Sequence, residues 1–427
     1  MAALDTSIAN TALPTIAADL LATPAASIWV VNAYQLALVV SLLPFASLGE
    51  IYGYRRVYIA GLVVFTAASV LCAASWSLPT LTAARVLQGL GASGVMSVNT
   101  ALIRFIYPAR MLGRGVGFNA LVVGVSTALG PTVAAGVLSV ASWQWLFAVN
   151  GPAGLLALWL AMRALPDTPR AKHRFDAGSA LLNAATFGLL IFGIGEAGQG
   201  APPVVIAGVL GGAVVAGLCL VRRQLSLAAP MLPVDLYRRP MFALSSLTSV
   251  CSFAAQGLAF VSLPFYFQAV LGRSAVETGL LLTAWPVMTA LLAPVAGPLS
   301  DRYPPALLGG IGMAALACGL ALMAGLPARP DDWSCVWRLM LCGAGFGFFQ
   351  SPNLRAIMAS APPERSGGAS GIIATSRLVG QALGAALVAL CFGVSAAYGP
   401  TLAVALGAGF AAAASLVSFS RMAARPR

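Results

Sequence analysis

The sequence predicts an all-α integral membrane protein with fourteen transmembrane helices. Of its 427 residues, 59% are hydrophobic and only 8% are charged, and the mean hydropathy is +0.89. Soluble domains carry about 25% charged residues, so this composition is typical of a membrane protein. Because a transmembrane helix takes about 20 apolar residues, the chain has room for a dozen or more such helices. No length is left for a soluble catalytic domain, so an enzyme is not expected.

Fourteen apolar runs lie between charged or Pro/Gly-rich breaks, and each is a candidate helix. They cover residues 1–21, 27–48, 57–76, 79–103, 115–140, 143–165, 177–197, 202–221, 241–269, 275–299, 305–326, 333–357, 368–394 and 399–420. The first run is short as a span, since Asp5 has only four residues before it and Pro14 interrupts the remainder of the run. We expect either that part of the first helix precedes Met1 or that Asp5 lies near the cytoplasmic surface.

Most basic residues lie in the even-numbered loops between these helices. Those loops hold Arg55, Arg56, Arg104, Arg110, Arg114, Arg170, Lys172, Arg174, Arg222, Arg223, Arg238, Arg239, Arg302, Arg355 and Arg365. The odd-numbered loops hold only Arg273 and Arg329. The positive-inside rule then predicts that the even loops and both termini are cytoplasmic, with Arg421, Arg425 and Arg427 closing the chain there. The net charge of +12 therefore indicates the topology of a bacterial inner-membrane protein rather than nucleic-acid binding.

The scarcest residue types exclude several kinds of site. Lys172 is the only lysine and His173 the only histidine. A Walker A loop needs a lysine after its glycines, and no glycine-rich loop precedes Lys172, which excludes an ATP-driven pump on this chain. Histidine-based metal sites and Ser/His/Asp triads are excluded by the single histidine, and no cofactor or metal is expected. The seven scattered cysteines are interpreted as inert buried thiols.

The two ends of the sequence match each other at an offset of 251–254 residues, which indicates a duplicated helical unit. The matched residues are Glu50 and Asp301, Arg85 and Arg338, Ser97 and Ser351, Asn99 and Asn353, and Ala128, Leu129 and Gly130 with Ala382, Leu383 and Gly384. We therefore expect six-helix halves over residues 1–165 and 241–427, with a two-helix insert and its flanking loops over 166–240. Two halves in the same orientation are typical of alternating-access transporters, whose substrate cavity lies between them.

The second loop combines an acidic residue, a glycine and a basic pair. These residues are Glu50, Gly53, Arg55 and Arg56. Glycine permits a tight turn and the charged side chains can bind helix ends or each other, which predicts a conformational latch. A basic pair that only sets the topology is the alternative. The loop resembles the signature of the major facilitator superfamily, with Glu50 in the usual aspartate place, and its echo in the tenth loop keeps only Asp301 and Arg302.

Further motifs resemble those of the fourteen-helix drug:proton antiporters in that superfamily. The run RVLQGLG from Arg85 resembles the fourth-helix motif R-x-x-Q-G-x-G. An arginine inside a span costs at least about 2.5–3.5 kcal/mol, so it needs an acidic partner, water or a role, and simple snorkelling is the alternative. Gly124, Gly130, Pro131 and Gly136 resemble the antiporter motif G-x-x-x-G-P-x-x-G-G, in which close helix contacts and a bend suit a rocking movement. The run WQWLFAVNGP at 143–152 resembles W-R-W-x-F-x-x-N-x-P, with glutamine in place of the basic residue.

The run LDTSIANTALP at residues 4–14 resembles the first-helix signature L-D-x-T-I-V-N-V-A-L-P of the same group. The resemblance implies that Asp5 couples transport to protons, together with Arg85. Apolar surroundings make a carboxyl group easier to protonate, so it can exchange a proton for a cationic substrate. The alternative is that Asp5 serves only as a structural cap or partner, for instance of Arg85.

Aromatic residues near the expected cavity are candidates for cation-π contacts with a substrate. They are Trp29, Tyr34, Phe265, Tyr266, Trp285 and Phe349. Packing and anchoring at the membrane interface are the alternative roles. Glu196 and Glu277 are expected near the outer surface, and Arg377 lies inside a predicted span with no obvious partner in the sequence.

Together these features predict a monomeric, proton-coupled antiporter that exports hydrophobic, cationic drugs or biocides by alternating access. Its expected partners are a small-molecule substrate, protons and the lipid bilayer. A dedicated metabolite exporter of the same fold is the alternative, because the motifs indicate coupling and rocking rather than a substrate.

Overall fold

The computed structural model describes residues 1–108, 111–171, 175–227, 230–327, 329–362, 365–395 and 397–422. Arg110, Lys172, His173, Arg174, Arg425 and Arg427 lie outside these residues, and so does the side chain of Arg114. The regular secondary structure of the described residues is helical, with a 3₁₀ turn at Val234–Arg238 and a π-helical turn at Tyr266–Val270. The α-helices are α1 (Ala2–Asp19), α2 (Pro24–Ser27), α3 (Trp29–Tyr52), α4 (Tyr54–Ala73), α5 (Leu78–Ile106), α6 (Leu112–Leu138), α7 (Gln144–Ala148), α8 (Asn150–Ala164), α9 (Ala177–Gly198), α10 (Pro203–Ser226), α11 (Pro240–Phe265), α12 (Ala275–Leu282), α13 (Ala284–Arg302), α14 (Pro305–Ala324), α15 (Asp332–Ser360), α16 (Ser366–Val394) and α17 (Gly399–Ser420).

Twelve helical stretches of the described chain are long and apolar enough to cross a membrane. The predicted spans at 1–21 and 333–357 are helices, α1 and α15, but they are not among the twelve. Polar residues such as Asp5 and Asn10 in α1, and Arg338 and Asn353 in α15, lower their hydropathy. The structure therefore shows an all-helical protein with twelve candidate spans, and the count of fourteen remains a prediction.

Helix starts are fixed by residues that satisfy the first free N–H groups. Ser77 and Thr80 form a capping box before α5, and Ser274 and Glu277 form another before α12. Asp176 caps α9 by accepting a hydrogen bond from the Ser179 N–H. Such caps stabilise a helix by about 1 kcal/mol and set where each helix begins.

The same packing pattern occurs at both ends of the chain. The pairs α1 with α6, α3 with α5, α4 with α5 and α4 with α8 pack together in the first part. Their counterparts α11 with α16, α13 with α15, α14 with α15 and α14 with α17 pack together in the last part. Helices α9 and α10 pack on each other, and α9 also contacts α3 and α16. This repetition is the arrangement that a duplicated six-helix unit produces.

The two ends of the chain meet in one apolar cluster. Ile8 and Leu13 of α1 pack there with Val261 and Phe265 of α11 and with Phe392 of α16. The cluster also contains residues at the start of α3, so it lies at the end of the helix bundle opposite Gly53, where α3 ends. The two halves are therefore in contact at that end.

Candidate functional site

Asp5 is buried inside the first half and held by three neighbours. Its side chain accepts hydrogen bonds from Arg85 Nη1 at 2.6 Å, Gln88 Nε2 at 2.9 Å and Asn150 Nδ2 at 2.7 Å. Asp5 is only 2% exposed and Arg85 is fully buried. Three helices thus converge on one carboxylate: α1 supplies it, and α5 and α8 supply its donors.

The guanidinium of Arg85 is enclosed on its other sides as well. Its Nε donates to the carbonyl oxygen of Val30 at 3.1 Å, and its Cζ lies 4.1 Å from the centre of the Tyr34 ring. A second aromatic ring, Phe147, lies 5.6 Å away. Aromatic faces attract a cation, so Tyr34 and Phe147 favour the charged arginine in this apolar setting.

Glycines in α5 bring this site together. A Cβ added at Gly89 lies 2.6 Å from the Tyr34 carbonyl oxygen, and one at Gly91 lies 2.3 Å from the Phe65 nitrogen. Both distances are too short for a side chain, so α5 approaches α3 and α4 more closely than any larger residue allows. The glycines of the R-x-x-Q-G-x-G motif therefore position its arginine and glutamine against Asp5.

This geometry makes the Asp5 carboxylate the counter-charge of Arg85. The carboxylate neutralises the buried guanidinium and accepts hydrogen bonds from all three donors. Removal of either partner would leave the other charge buried without compensation, which costs several kcal/mol.

The predicted latch loop binds the end of α8 and the segment that follows it. Gly53 has φ = +99°, a conformation that only glycine adopts readily, and this turn joins α3 to α4. Arg55 forms an ion pair with Asp167 at 3.1 Å and donates to the Met162 carbonyl oxygen at 2.6 Å. The carbonyl oxygen of Glu50 accepts a hydrogen bond from the Ala171 N–H at 2.8 Å.

The matching loop in the second half, around Asp301, also binds a neighbouring helix. Asp301 forms an ion pair with Arg355 of α15, within the second half. Arg56 and Arg302 are exposed and form no ion pair with any described residue. The first loop is thus bound to the end of α8 and the segment after it, and the second is bound to α15. The latch remains a prediction.

Two residues of the predicted antiporter motif lie in close helix contacts, and two do not. A Cβ at Gly130 would lie 2.3 Å from the Ser7 side chain, so α6 lies directly against α1. One residue later, the Pro131 carbonyl oxygen lies 2.5 Å from a Cβ built at Gly279, which brings α6 against α12 of the other half. Gly124 and Gly136 face open space. Gly130 and Pro131 therefore lie where α6 contacts α1 of its own half and α12 of the other half.

Of the predicted cavity aromatics, Tyr34 alone contacts the Asp5 cluster among the described residues. Trp29 packs on Phe192 of α9, with ring centroids 6.0 Å apart. The others are buried in apolar packing: Phe265 against Phe392, Trp285 against Phe260, and Tyr266 and Phe349 in the core of the second half. Whether any of them contacts a substrate remains a prediction.

Sequence reasoning missed two donors to Asp5. Gln88 and Asn150 both lie inside the quoted motifs, but neither was assigned a role. A buried amide in an apolar span requires a partner, which is the signal that identifies them. Glu277, by contrast, is an exposed helix cap, since its carboxylate accepts from the Ser274 N–H at 2.8 Å.

Known proteins match this chain over most of its length. The family described as Major Facilitator Superfamily matches residues 1–385 and 246–423. "Uncharacterized transporter YebQ" of Escherichia coli (strain K12) is 60% identical over 392 residues, covering 91% of this chain and 86% of that protein. "Tetracenomycin C resistance and export protein" of Streptomyces glaucescens is 33% identical over 397 residues, covering 91% and 73%.

A solved structure shows the same fold. The inward-facing, unoccupied crystal structure of a bacterial homolog to the human lysosomal transporter Spinster superposes with a TM-score of 0.70 at 14% identity. The superposition covers 98% of this chain and 93% of that one. The chain therefore belongs to the Major Facilitator Superfamily. It is a multi-pass membrane transporter, and its relatives and fold are those of transporters, which are not enzymes.

Proposed function

We propose that this member of the Major Facilitator Superfamily is a proton-coupled antiporter that exports small organic molecules across the bacterial inner membrane. The observation that carries the proposal is the sealed cluster of Asp5, Arg85, Gln88 and Asn150. It joins helices of the first half through a group that changes charge when it binds a proton. A relative named for resistance and export supports the outward direction.

Alternating access is supported by how the halves meet. The apolar cluster of Ile8, Leu13, Val261 and Phe265 closes the face remote from Gly53, which the arginine pattern assigns to the outside. Hydroxyl groups of Thr132 and Thr283 also meet across the halves, 2.8 Å apart. Protonation of Asp5 weakens its hold on α5 and α8, so α1 can shift against α6 and α11 and release these contacts.

We further propose that the protein has fourteen spans, with α9 and α10 as an inserted hairpin. Both termini are cytoplasmic in this proposal, and the protein is a monomer. The loops around Glu50 and Asp301 latch the cytoplasmic ends. The resemblance to drug:proton antiporters favours lipophilic cations as substrates, and a dedicated metabolite exporter is the alternative.

The proposal is tested in everted membrane vesicles with an imposed pH gradient. Two probes with the same xanthene ring system and opposite charge are used, rhodamine 6G and fluorescein. We expect gradient-driven accumulation of at least one dye by the wild type, and none by Asp5→Asn. Asp332→Asn is the matched control, since Asp332 pairs with Arg273 at the protein surface, and it should transport normally. An Asp5→Asn protein that still concentrates a dye places the coupling elsewhere.

A further inference from the structure

Arg377 of α16 is a half-buried arginine that the Asp5 mechanism does not use. The structure gives each of the two fully buried arginines of the described chain a set of partners. Arg85 has Asp5. Arg421 donates to Ser245 Oγ at 2.9 Å and to Asn353 Oδ1 at 2.8 Å, and it also bonds Ser418. Arg377 is half-buried, and its Nε is sealed from solvent without a partner.

No carboxylate of the described chain is paired with Arg377. The acidic residues that form ion pairs are bound to other arginines: Asp5 to Arg85, Asp167 to Arg55, Asp176 to Arg223, Asp235 to Arg365, Asp301 to Arg355 and Asp332 to Arg273. Asp19 accepts from Trp143 Nε1, and Asp331 caps α15. A charged group inside a span without an internal partner is costly, and such groups mark binding sites or ion pathways.

Arg377 lies where the two halves meet. Leu378 and Ala382 of α16 pack in one cluster with Tyr34 and Leu38 of α3, in the first half. On the adjacent face of α16, Gly380 and Gly384 lie against the backbone of α11. Helical spacing puts Arg377 between these two faces, one turn before Gln381, which bonds Gln256 of α11 at 3.2 Å.

Arg377 also lies near the Asp5 cluster. The next residue, Leu378, packs in one cluster with Tyr34, the ring on which Arg85 rests. Arg377, Tyr34 and Arg85 therefore form a series from the half–half interface to the proton site. The net charge of this series with Asp5 ionised is positive, which disfavours a cationic ligand beside Arg377 and favours an anionic one.

We propose that Arg377 binds an acidic group, a carboxylate or a phosphate, of the transported substrate, which makes the substrate an organic anion. This inference rests on the proposed transport function and narrows it toward the metabolite exporter. A guanidinium offers several donors in a plane that matches either anionic group. The missing counter-charge of Arg377 is then supplied by the substrate in each cycle.

The test uses the full chain in lipid nanodiscs and three probes that share one ring system. They are 1-naphthoate, 1-naphthyl phosphate and 1-naphthylmethylammonium, and their binding is followed by the shift in thermal unfolding temperature. We expect at least one acid to bind the wild type, and Arg377→Gln to weaken that binding by about 10-fold or more, as expected for a lost charged hydrogen bond. Arg377→Lys, which keeps the charge, should lose less. The comparison of the two acids identifies the preferred anionic group.

Arg222→Gln is the matched control, since Arg222 is exposed and the substitution changes the net charge equally. It should leave acid binding unchanged. The inference is overturned if neither acid stabilises the wild type, if the ammonium probe binds more tightly than both acids, or if Arg377→Gln binds the acids as the wild type does.

A second measurement needs no ligand. Removal of an unpaired buried charge should raise the unfolding temperature of the ligand-free protein, whereas removal of a paired one lowers it. We therefore expect Arg377→Gln to be more stable than the wild type and Arg85→Gln to be less stable. If Arg377→Gln lowers the unfolding temperature as much as Arg85→Gln does, the inference is overturned, because Arg377 then has a partner inside the protein. Binding in nanodiscs needs no gradient, so Arg377-dependent acid binding without proton-driven transport would refute the proton coupling alone.

Discussion

Arg85 and Arg338 occupy matching positions in the two halves, but their surroundings differ. Arg85 is fully buried and paired with Asp5 at 2.6 Å. Arg338 is half-buried, bonds the backbone and hydroxyl of Ser334, and lies over the Trp337 ring, 4.4 Å from its centre. The lower repeat offset places Asp5 on Gln256, which is neutral. The Arg85 position is therefore an arginine in both halves, whereas the Asp5 position is acidic only in the first half.

This difference separates two tasks. The first half holds a carboxylate paired with a buried arginine, and we propose that this carboxylate binds the coupling proton. The second half contributes Arg377, a cation that lacks a described partner. Under the two proposals, the first half binds the proton and the second half binds the charged group of the substrate. Four measurements test this division.

The largest expected effect is on the driving force. Exchange of one proton for a monovalent cation moves no net charge, whereas inward movement of a proton with outward movement of a monovalent anion moves two. At about 2.3 kcal/mol per charge per 100 mV, the membrane potential then adds about 4.6 kcal/mol, against about 1.4 kcal/mol for one pH unit. Dye export from proteoliposomes with either gradient collapsed by ionophores measures this. If collapsing the membrane potential leaves the rate of dye export unchanged, the substrate is not an anion exchanged for a proton.

The next effect is on stability. Arg85→Gln leaves Asp5 buried without its counter-charge, so we expect it to lower the free energy of unfolding by about 3–5 kcal/mol. Arg338→Gln loses bonds to Ser334 and a contact with the Trp337 ring but leaves no buried charge unpaired, so it should cost about 1–2 kcal/mol. Adding Asp5→Asn to Arg85→Gln should restore part of the loss, since the pair is then removed together. Thermal unfolding in detergent compares these variants, and equal losses for Arg85→Gln and Arg338→Gln contradict the asymmetry.

A smaller effect distinguishes the helix contacts of the two halves. Gly130 and Gly384 match in the repeat, and an added Cβ would meet the Ser7 side chain at 2.3 Å or the Ala254 carbonyl oxygen at 2.4 Å. Overpacking costs about 1–3 kcal/mol. We expect Ser7→Gly to relieve Gly130→Ala, and no side-chain change to relieve Gly384→Ala, because its obstacle is backbone. Gly136→Ala, which faces open space, should be neutral in the same unfolding assay.

The smallest effect concerns an exposed version of the Asp5–Arg85 pair. Asp176 pairs with Arg223 at 2.8 Å between α9 and α10, and this hydrogen bond lowers the pKa of Asp176 to about 2. A lowered pKa stabilises the fold above the unfolded value of about 3.9, and this stabilisation is lost as the pH falls toward about 2. Solvent screening keeps the effect small. The difference in unfolding temperature between wild type and Asp176→Asn, followed from pH 7 downward, should shrink across that interval.

Much of the site can be predicted from sequence because its signals are local. The run from Leu4 to Pro14 and the motif that begins at Arg85 point to the acid and its arginine, and a pairing of the two is one of the interpretations that they allow. Gln88 and Asn150 escape this reasoning, since nothing local shows that three helices converge on one carboxylate. The aromatics Phe265, Trp285 and Phe349 are buried in packing, which was the alternative role that the sequence left open for them, and substrate contact by any of them remains a prediction.

The apolar spans, the repeat and the placement of charged residues are all predicted from the sequence, because hydropathy and residue spacing can be read along the chain without the fold. Which charges are compensated depends on the fold. Arg85, Arg338 and Arg377 look alike in an apolar run, and the first has an acidic partner because the fold brings Asp5 of α1 to Arg85 of α5. The reason is physical: the energy of a buried charge is set by partners within a few ångströms, and those partners come from residues far away in the chain.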